Sequence, residues 1–199
     1  KQAVKDAGYR LSYAVLNADN FLCPQSRQRL FLFGVRKDVD GGFSFPDLSL
    51  PKVSVKDAIN DLIDNVDIPN NEPMRHTKRI QERYKHIPQG GDMRNVPGEH
   101  QQRKRGDVDK ISGKQSSQSY HRLVESEPCP TICAMFQAHF IHYSQDRNLT
   151  AREAARLQSF PDDFVFEGKR VNMSWDKNLS QYQQIGNAVP PLLTYTLGR

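Results

Sequence analysis

No apolar run in the sequence approaches the roughly eighteen residues a membrane-crossing helix requires. The first residues, Lys1-Gln2-Ala3-Val4-Lys5-Asp6, lack the hydrophobic stretch of a secretion signal. These absences point to a cytoplasmic protein without a membrane partner. Cysteine is scarce: Cys23, Cys129 and Cys133 form an odd set with no disulfide framework, which suits a reducing compartment. There is no internal repeat. With 37% hydrophobic residues the 199-residue chain can bury a real core, and its 26% charged content marks globular parts joined by polar stretches.

The charge is concentrated rather than abundant. A net charge of +5 excludes little, but residues 75–122 hold twelve Lys or Arg against five Asp or Glu, and the rest of the chain is slightly acidic. One basic block favours a polyanion such as nucleic acid.

Lys5-Asp6-Ala7-Gly8 reads as a helix stopped by glycine, and Leu11 to Leu16 as an alternating strand. The apolar run Leu30-Phe31-Leu32-Phe33-Gly34-Val35 is expected to be a strand buried on both faces of an α/β sheet. Two strands and a helix do not close such a core, so the chain is expected to begin inside a layered domain. Residues 37–74 read as an acidic connector with one helix from Val55 to Ile63 capped by Ser54. Met74 to His121 shows no clear period and is expected to be loop-built. Thr150-Ala151-Arg152-Glu153 is a capping box starting a helix to about Gln158, and Pro190-Pro191 suits the first turn of a short terminal helix.

Three stretches carry a family signature in order. They are Asn17-Ala18-Asp19 with Pro24-Gln25-Ser26-Arg27-Gln28-Arg29; Arg147-Asn148-Leu149-Thr150-Ala151-Arg152-Glu153-Ala154-Ala155-Arg156-Leu157-Gln158-Ser159-Phe160-Pro161; and Gln184-Ile185-Gly186-Asn187-Ala188-Val189-Pro190-Pro191. Together they resemble the Gln-x-Arg-x-Arg, Arg-x-Leu-Thr-x-Arg-Glu and closing Gly-Asn-x-Val blocks of the bacterial DNA (cytosine-5)-methyltransferases. The resemblance covers about a third of the chain and brackets the rest. It departs where the family's Gly-rich cofactor loop, Pro-Cys nucleophile and Glu-Asn-Val block would stand, because none is present. Cys23-Pro24 has the reverse order and is read as a small residue at a strand end.

The resemblance implies an α/β fold: the C-terminal part of a Rossmann-like S-adenosylmethionine-dependent methyltransferase plus a small, loop-rich target-recognition domain. The expected divisions are 1–36, the end of the catalytic domain; 37–74, a connector; 75–146, target recognition; 147–180, a small-domain helix and loop; and 181–199, a segment returning to the catalytic domain. The implied reaction is methyl transfer from S-adenosylmethionine to carbon 5 of a cytosine flipped from duplex DNA, as in restriction-modification systems. Its nucleophilic cysteine would come from an N-terminal half of the enzyme, in the same polypeptide or as a partner subunit. A non-catalytic DNA-binding remnant and a relative that methylates transfer RNA are the alternatives.

By resemblance Arg29 addresses the cytosine carbonyl oxygen, where negative charge develops, with Arg27 beside it and Gln25 organising the turn. Alternation along the strand would place all three on one polar face. Asn187, Ala188 and Val189 are the cofactor-side residues, mostly through backbone atoms at a helix N-terminus. Pro130-Thr131-Ile132 matches the recognition-domain marker, with the Thr131 hydroxyl suited to a DNA phosphate. Arg94, Gln101, Gln102, Arg103, Lys104 and Arg105 are candidates for DNA contacts. Arg152, Glu153 and Arg156 read as scaffold. Cys129 and Cys133 with His139 and His142 look like a zinc set, but five residues separate the inner pair where about twelve are usual, so no metal is expected.

Overall fold

Gly8, at φ +86°, ends the first short helix and turns the chain into a strand, a backbone conformation that favours glycine. In chain order the elements are α1 (Gln2–Asp6), β1 (Tyr9–Asn17), β2 (Gln28–Arg36), α2 (Val55–Ile59), α3 (Lys78–Lys85), β3 (Arg103–Lys104), β4 (Asp107–Ile111), β5 (His121–Arg122), β6 (Phe140–Ile141), α4 (Ala151–Leu157), α5 (Gln181–Asn187) and α6 (Pro191–Leu197). The computed structural model describes residues 1–101, 103–104, 107–111, 120–134, 140–172 and 175–198, and the side chains of 103–111 lie outside that description.

β1 and β2 pair antiparallel in unbroken register from Tyr9↔Arg36 to Asn17↔Gln28. Side chains alternate across this ribbon. Leu16, Phe31 and Phe33 pack inward on Phe43, Phe45, Leu48 and the α6 residues Leu193 and Leu197. Phe33 stacks on Phe43 with centroids 3.8 Å apart. The opposite face is open: Tyr13, Val15, Leu30 and Leu32 are each more than half exposed. On this face the short α1 alone approaches the ribbon, with Ala3, Val4 and Ala7 near Tyr9, Leu11, Leu32 and Gly34, so the expected burial of β2 on both faces is corrected to partial cover on the second face within the described residues.

The main core gathers Val55 and Ile59 from α2, Leu62, Leu123, Ile132, Leu149, Leu157 from α4, Phe166, and Tyr182 and Ile185 from α5. The segment read as a connector thus contributes part of the principal core. Ser54 caps α2 by accepting from the Asp57 N–H, as its sequence suggests.

The described part of the basic window holds a helix and a packed cluster where a loop was expected. Ile80 and Tyr84 of α3, with Ile87 just past its end, pack onto Met93, Val96 and Ile141 in a third cluster. β3 and β4 form an antiparallel pair with a register shift between Arg103 and Lys104. α4 begins with the expected reciprocal box, in which Thr150 Oγ accepts from the Glu153 N–H and the Glu153 carboxylate accepts from the Thr150 N–H. α5 has the same arrangement from Ser180 and Gln183. Among the described residues no helix is long and apolar enough to cross a membrane.

Candidate active site

The turn between β1 and β2 is tied down before β2 begins. Asn17 accepts the Arg27 N–H at 2.8 Å, and the Ala18 N–H reaches the Arg27 carbonyl at 3.0 Å. Ser26 and Cys129 belong to two stretches joined by reciprocal backbone bonds: Ser26 N–H to Cys129 O at 2.8 Å and Cys129 N–H to Pro24 O at 2.9 Å. The start of β2 is thereby fixed to residues 129–132.

Gln25 and Arg27 grip the peptide of Ile132 from its two ends. Gln25 Oε1 accepts the Ile132 N–H at 2.8 Å, and Arg27 Nη1 donates to the Ile132 carbonyl at 2.8 Å. The second arm of Arg27 donates to the Gly186 carbonyl at 3.0 Å. Both side chains are buried, whereas Arg29 is exposed and donates to its neighbour's carbonyl, Gln28 O, at 2.6 Å. The expectation of one shared polar face is corrected, because Ile132 and α5 engage the Gln25 and Arg27 side chains inside the protein and leave Arg29 exposed. Burial, followed by the nearby Arg29 charge, lowers the Arg27 pKa from its ordinary value.

Gly186 lies inside α5 rather than before a helix. A Cβ built on it would stand 2.5 Å from Ala134 N and from the Cys133 carbonyl group, so two backbones meet where only glycine fits. Beyond it Asn187 and Val189 are exposed. The Ala188 N–H bonds to Ile185 O at 3.2 Å, and its carbonyl accepts from Gln158 Nε2 at 2.8 Å. Ala188, expected to face the cofactor through backbone atoms, thus has both of its backbone groups bonded within the protein. The N–H of Leu192, in the first turn of α6, bonds to Ser159 Oγ at 3.1 Å, seating this turn on the end of α4.

The sequence reading passed over Gln158 and Arg122. Gln158 is fully buried, and its amide links Gln25 to the Ile185 and Ala188 carbonyls. Arg122, counted within the basic block, donates from inside the protein to the carbonyls of Tyr84, Ile87, His142 and Gln145 and pairs with Asp146 at 2.6 Å. It ties together the segments around residues 84–87 and 142–146 and is withdrawn from any surface field. Arg94 faces Asp92 through a two-armed pair, which holds the Asp92 carboxyl below its usual range. Thr131 Oγ1 donates to Ser26 O at 2.9 Å. The backbones of Arg103 and Lys104 form β3, while Gln102, Arg105 and His139 lie outside the described residues.

Arg152, Glu153 and Arg156 hold loops to α4. Arg156 pairs with Asp162 at 2.6 Å, and Arg147 meets the fully buried Glu153 carboxylate through both arms at 2.7 and 2.8 Å. His142 Nε2 lies 3.6 Å from the same carboxylate, and burial pushes this histidine down to about 4 despite it. Cys23 is also buried, with its thiol pushed up to about 11, so it is mostly protonated at neutral pH and unsuited to nucleophilic attack.

The chain thus has an exposed arginine at the start of β2 and an internal arginine that bridges to the C-terminal end of α5. The model of the family described as C-5 cytosine-specific DNA methylase matches residues 1–199. The chain belongs to this family. Among relatives of this methylase family, the chain is 41% identical to the Type II methyltransferase M.DdeI of Desulfomicrobium norvegicum, aligning 99% of this chain with 57% of that protein. It is 34% identical to the Type II methyltransferase M.AquIB of Picosynechococcus, where 69% of this chain aligns with 89% of the relative. The fold resembles that of a DNA modification methyltransferase from an Escherichia coli prophage, with a TM-score of 0.65 at 23% identity over 96% of this chain and 60% of the other. This supports the expected α/β, Rossmann-like methyltransferase architecture. The chain spans about half the length of most curated methylase relatives it matches.

Proposed function

We propose that the chain is the C-terminal part of a DNA (cytosine-5)-methyltransferase that transfers a methyl group from S-adenosylmethionine to carbon 5 of a cytosine flipped out of duplex DNA. The observation that carries this reading is Arg27, whose two arms bind Ile132 O and Gly186 O. It sets the start of β2, with Arg29, beside the turn holding Asn187 and Val189. On this reading the two segments line one shared cleft.

Each residue has a role in that chemistry. A cysteine thiolate from the N-terminal half adds to carbon 6 of the cytosine, carbon 5 then takes the methyl group, and loss of the carbon 5 proton with expulsion of the thiolate restores the ring. Arg29 stands exposed to meet the cytosine carbonyl oxygen and stabilise the negative charge that the addition places on the ring. Asn187 and Val189 close the methyl donor's pocket, and S-adenosylmethionine supplies the methyl group there. The recognition region, residues 75–146, reads the duplex: Lys and Arg displace counterions, and Thr131, Arg94, Arg103, Lys104 and Arg105 are its candidate contacts.

The open face of the β1–β2 ribbon, with Tyr13, Val15, Leu30 and Leu32, is where the N-terminal half docks. A contiguous apolar face of this kind marks an interaction surface. M.AquIB, nearly all of which aligns with this region, shows that a relative of about this extent occurs as a polypeptide. The test is to combine the chain with a separately expressed N-terminal half carrying the Pro-Cys and Glu-Asn-Val blocks and to follow labelled methyl transfer into duplex DNA. Incorporation that requires both parts is expected; a folded, associated mixture that transfers nothing refutes the reading.

A further inference from the structure

We infer that Gln158 and Gln25 form a buried amide relay that positions the two sides of the cleft, and that Gln158 is a positioning residue for methyl transfer. This rests on the function proposed above. The Ile132 N–H donates to Gln25 Oε1 at 2.8 Å, Gln25 Nε2 donates to Gln158 Oε1, and Gln158 Nε2 donates to Ile185 O at 3.0 Å and Ala188 O at 2.8 Å. Both side chains are fully buried. The direction of donation is the same throughout, from residue 132 to the C-terminal end of α5 at 185–188.

Each link must accept at one atom and donate at another, which a neutral amide does and a carboxylate or a hydrocarbon does not. Because water is excluded, a broken link leaves an unpartnered polar group inside the protein, and the groups in such a chain rise or fall together. The ends of the relay are the functional segments. Gln25 sits four positions before Arg29, and Ala188 sits between Asn187 and Val189. Arg27 runs alongside from Ile132 O to Gly186 O, so a pair of struts spans the same gap. Gln158 touches neither substrate; it acts by holding the two segments at one separation, and errors of about an ångström in such a separation reduce turnover strongly.

The first readout needs no activity. In Gln158→Leu and Gln158→Glu of this chain, the Ile132 amide, which Gln158 does not touch, is expected to exchange with solvent about tenfold faster, while amides of α3 are unchanged. For Gln158→Glu the protection returns as pH falls, because a protonated carboxyl can again donate; for Gln158→Leu it does not. Should a Gln158 variant fail to fold, Gln25→Glu probes the relay from the other end, with faster exchange of the Ala188 amide as the expected sign. The second readout is kinetic: in the reconstituted enzyme Gln158→Glu lowers kcat about tenfold or more with KM for DNA unchanged, and acid restores it. An unaltered Ile132 amide, or identical pH profiles for Gln158→Glu and Gln158→Leu, overturns the inference. A wild-type mixture that transfers no methyl group refutes the proposed function instead, and the exchange result still decides the relay.

Discussion

Replacing Arg152 by methionine removes a donor set for which the fold has no substitute. The side chain is fully buried and donates to Pro69 O at 2.9 Å, Pro161 O at 2.9 Å and Phe164 O at 2.7 Å, with Asn70 Oδ1 at 3.5 Å. These acceptors lie on two loops that wrap α4, and Met fills similar volume without a donor. A carbonyl left unpaired in the interior costs about 1–3 kcal/mol, so three give at least about 3 kcal/mol. Part is returned because a guanidinium no longer has to be dehydrated, a cost visible in the lowering of the Arg152 pKa by burial. The expected net loss is about 3 kcal/mol, or a Tm lower by roughly 6–12 °C for a chain of this length. Arg152→Lys keeps the charge but has one nitrogen for three separated carbonyls, and is expected to fall between. Urea denaturation and thermal melting measure both. If Arg152→Met lies within about 1 kcal/mol of the parent with an unchanged m-value, the reasoning is refuted.

Gly186→Ala should destabilise by about 1–3 kcal/mol through the clash with the Cys133–Ala134 backbone, whereas at an ordinary helical position the same change stabilises by about 1 kcal/mol; the sign of the change in melting temperature decides. The folded-state pKa of His142, about 4, lies below its ordinary value of 6.5, so the unfolded chain binds the extra proton and stability falls as pH drops from 6.5 toward 4. Between pH 7 and pH 5 this contributes a loss of about 2 kcal/mol that His142→Asn should lack, as denaturation at the two pH values will show. Of the three thiols, exposed Cys133 should react with a chromogenic disulfide at once, and buried Cys23 and Cys129 only on unfolding; rapid labelling of a second thiol contradicts their burial.

Local signals were legible and remote ones were not. Thr150 with Glu153, Ser54 before α2 and Gly8 after α1 announce themselves because a cap acts within three or four residues. The i, i+4 spacing of Ile80 and Tyr84 was a readable sign of α3, masked by the surrounding charge. Alternation put Gln25, Arg27 and Arg29 in a row but said nothing of what covers each. That depends on Ile132 and Gly186, more than a hundred residues away. Counting charge failed for Arg122 in the same way, since its partners, from Tyr84 to Asp146, come from both sides in sequence. Half-burial of β2 follows from which layers are present, and an apolar run does not report that. The family blocks marked the candidate residues, and only the folded chain separated the exposed Arg29 from the internal Arg27.

The most direct measurement of the central claim is single-turnover methyl transfer to duplex DNA by the reconstituted enzyme with Arg29→Ala. A guanidinium that stabilises charge developing on the ring predicts a fall in the chemical step of about 10²–10³-fold, with the melting temperature unchanged because Arg29 is exposed and, among the described residues, bonds to its neighbour's carbonyl, Gln28 O. A chemical step within threefold of the parent, at about the same stability, would contradict the placement of Arg29 at the cytosine.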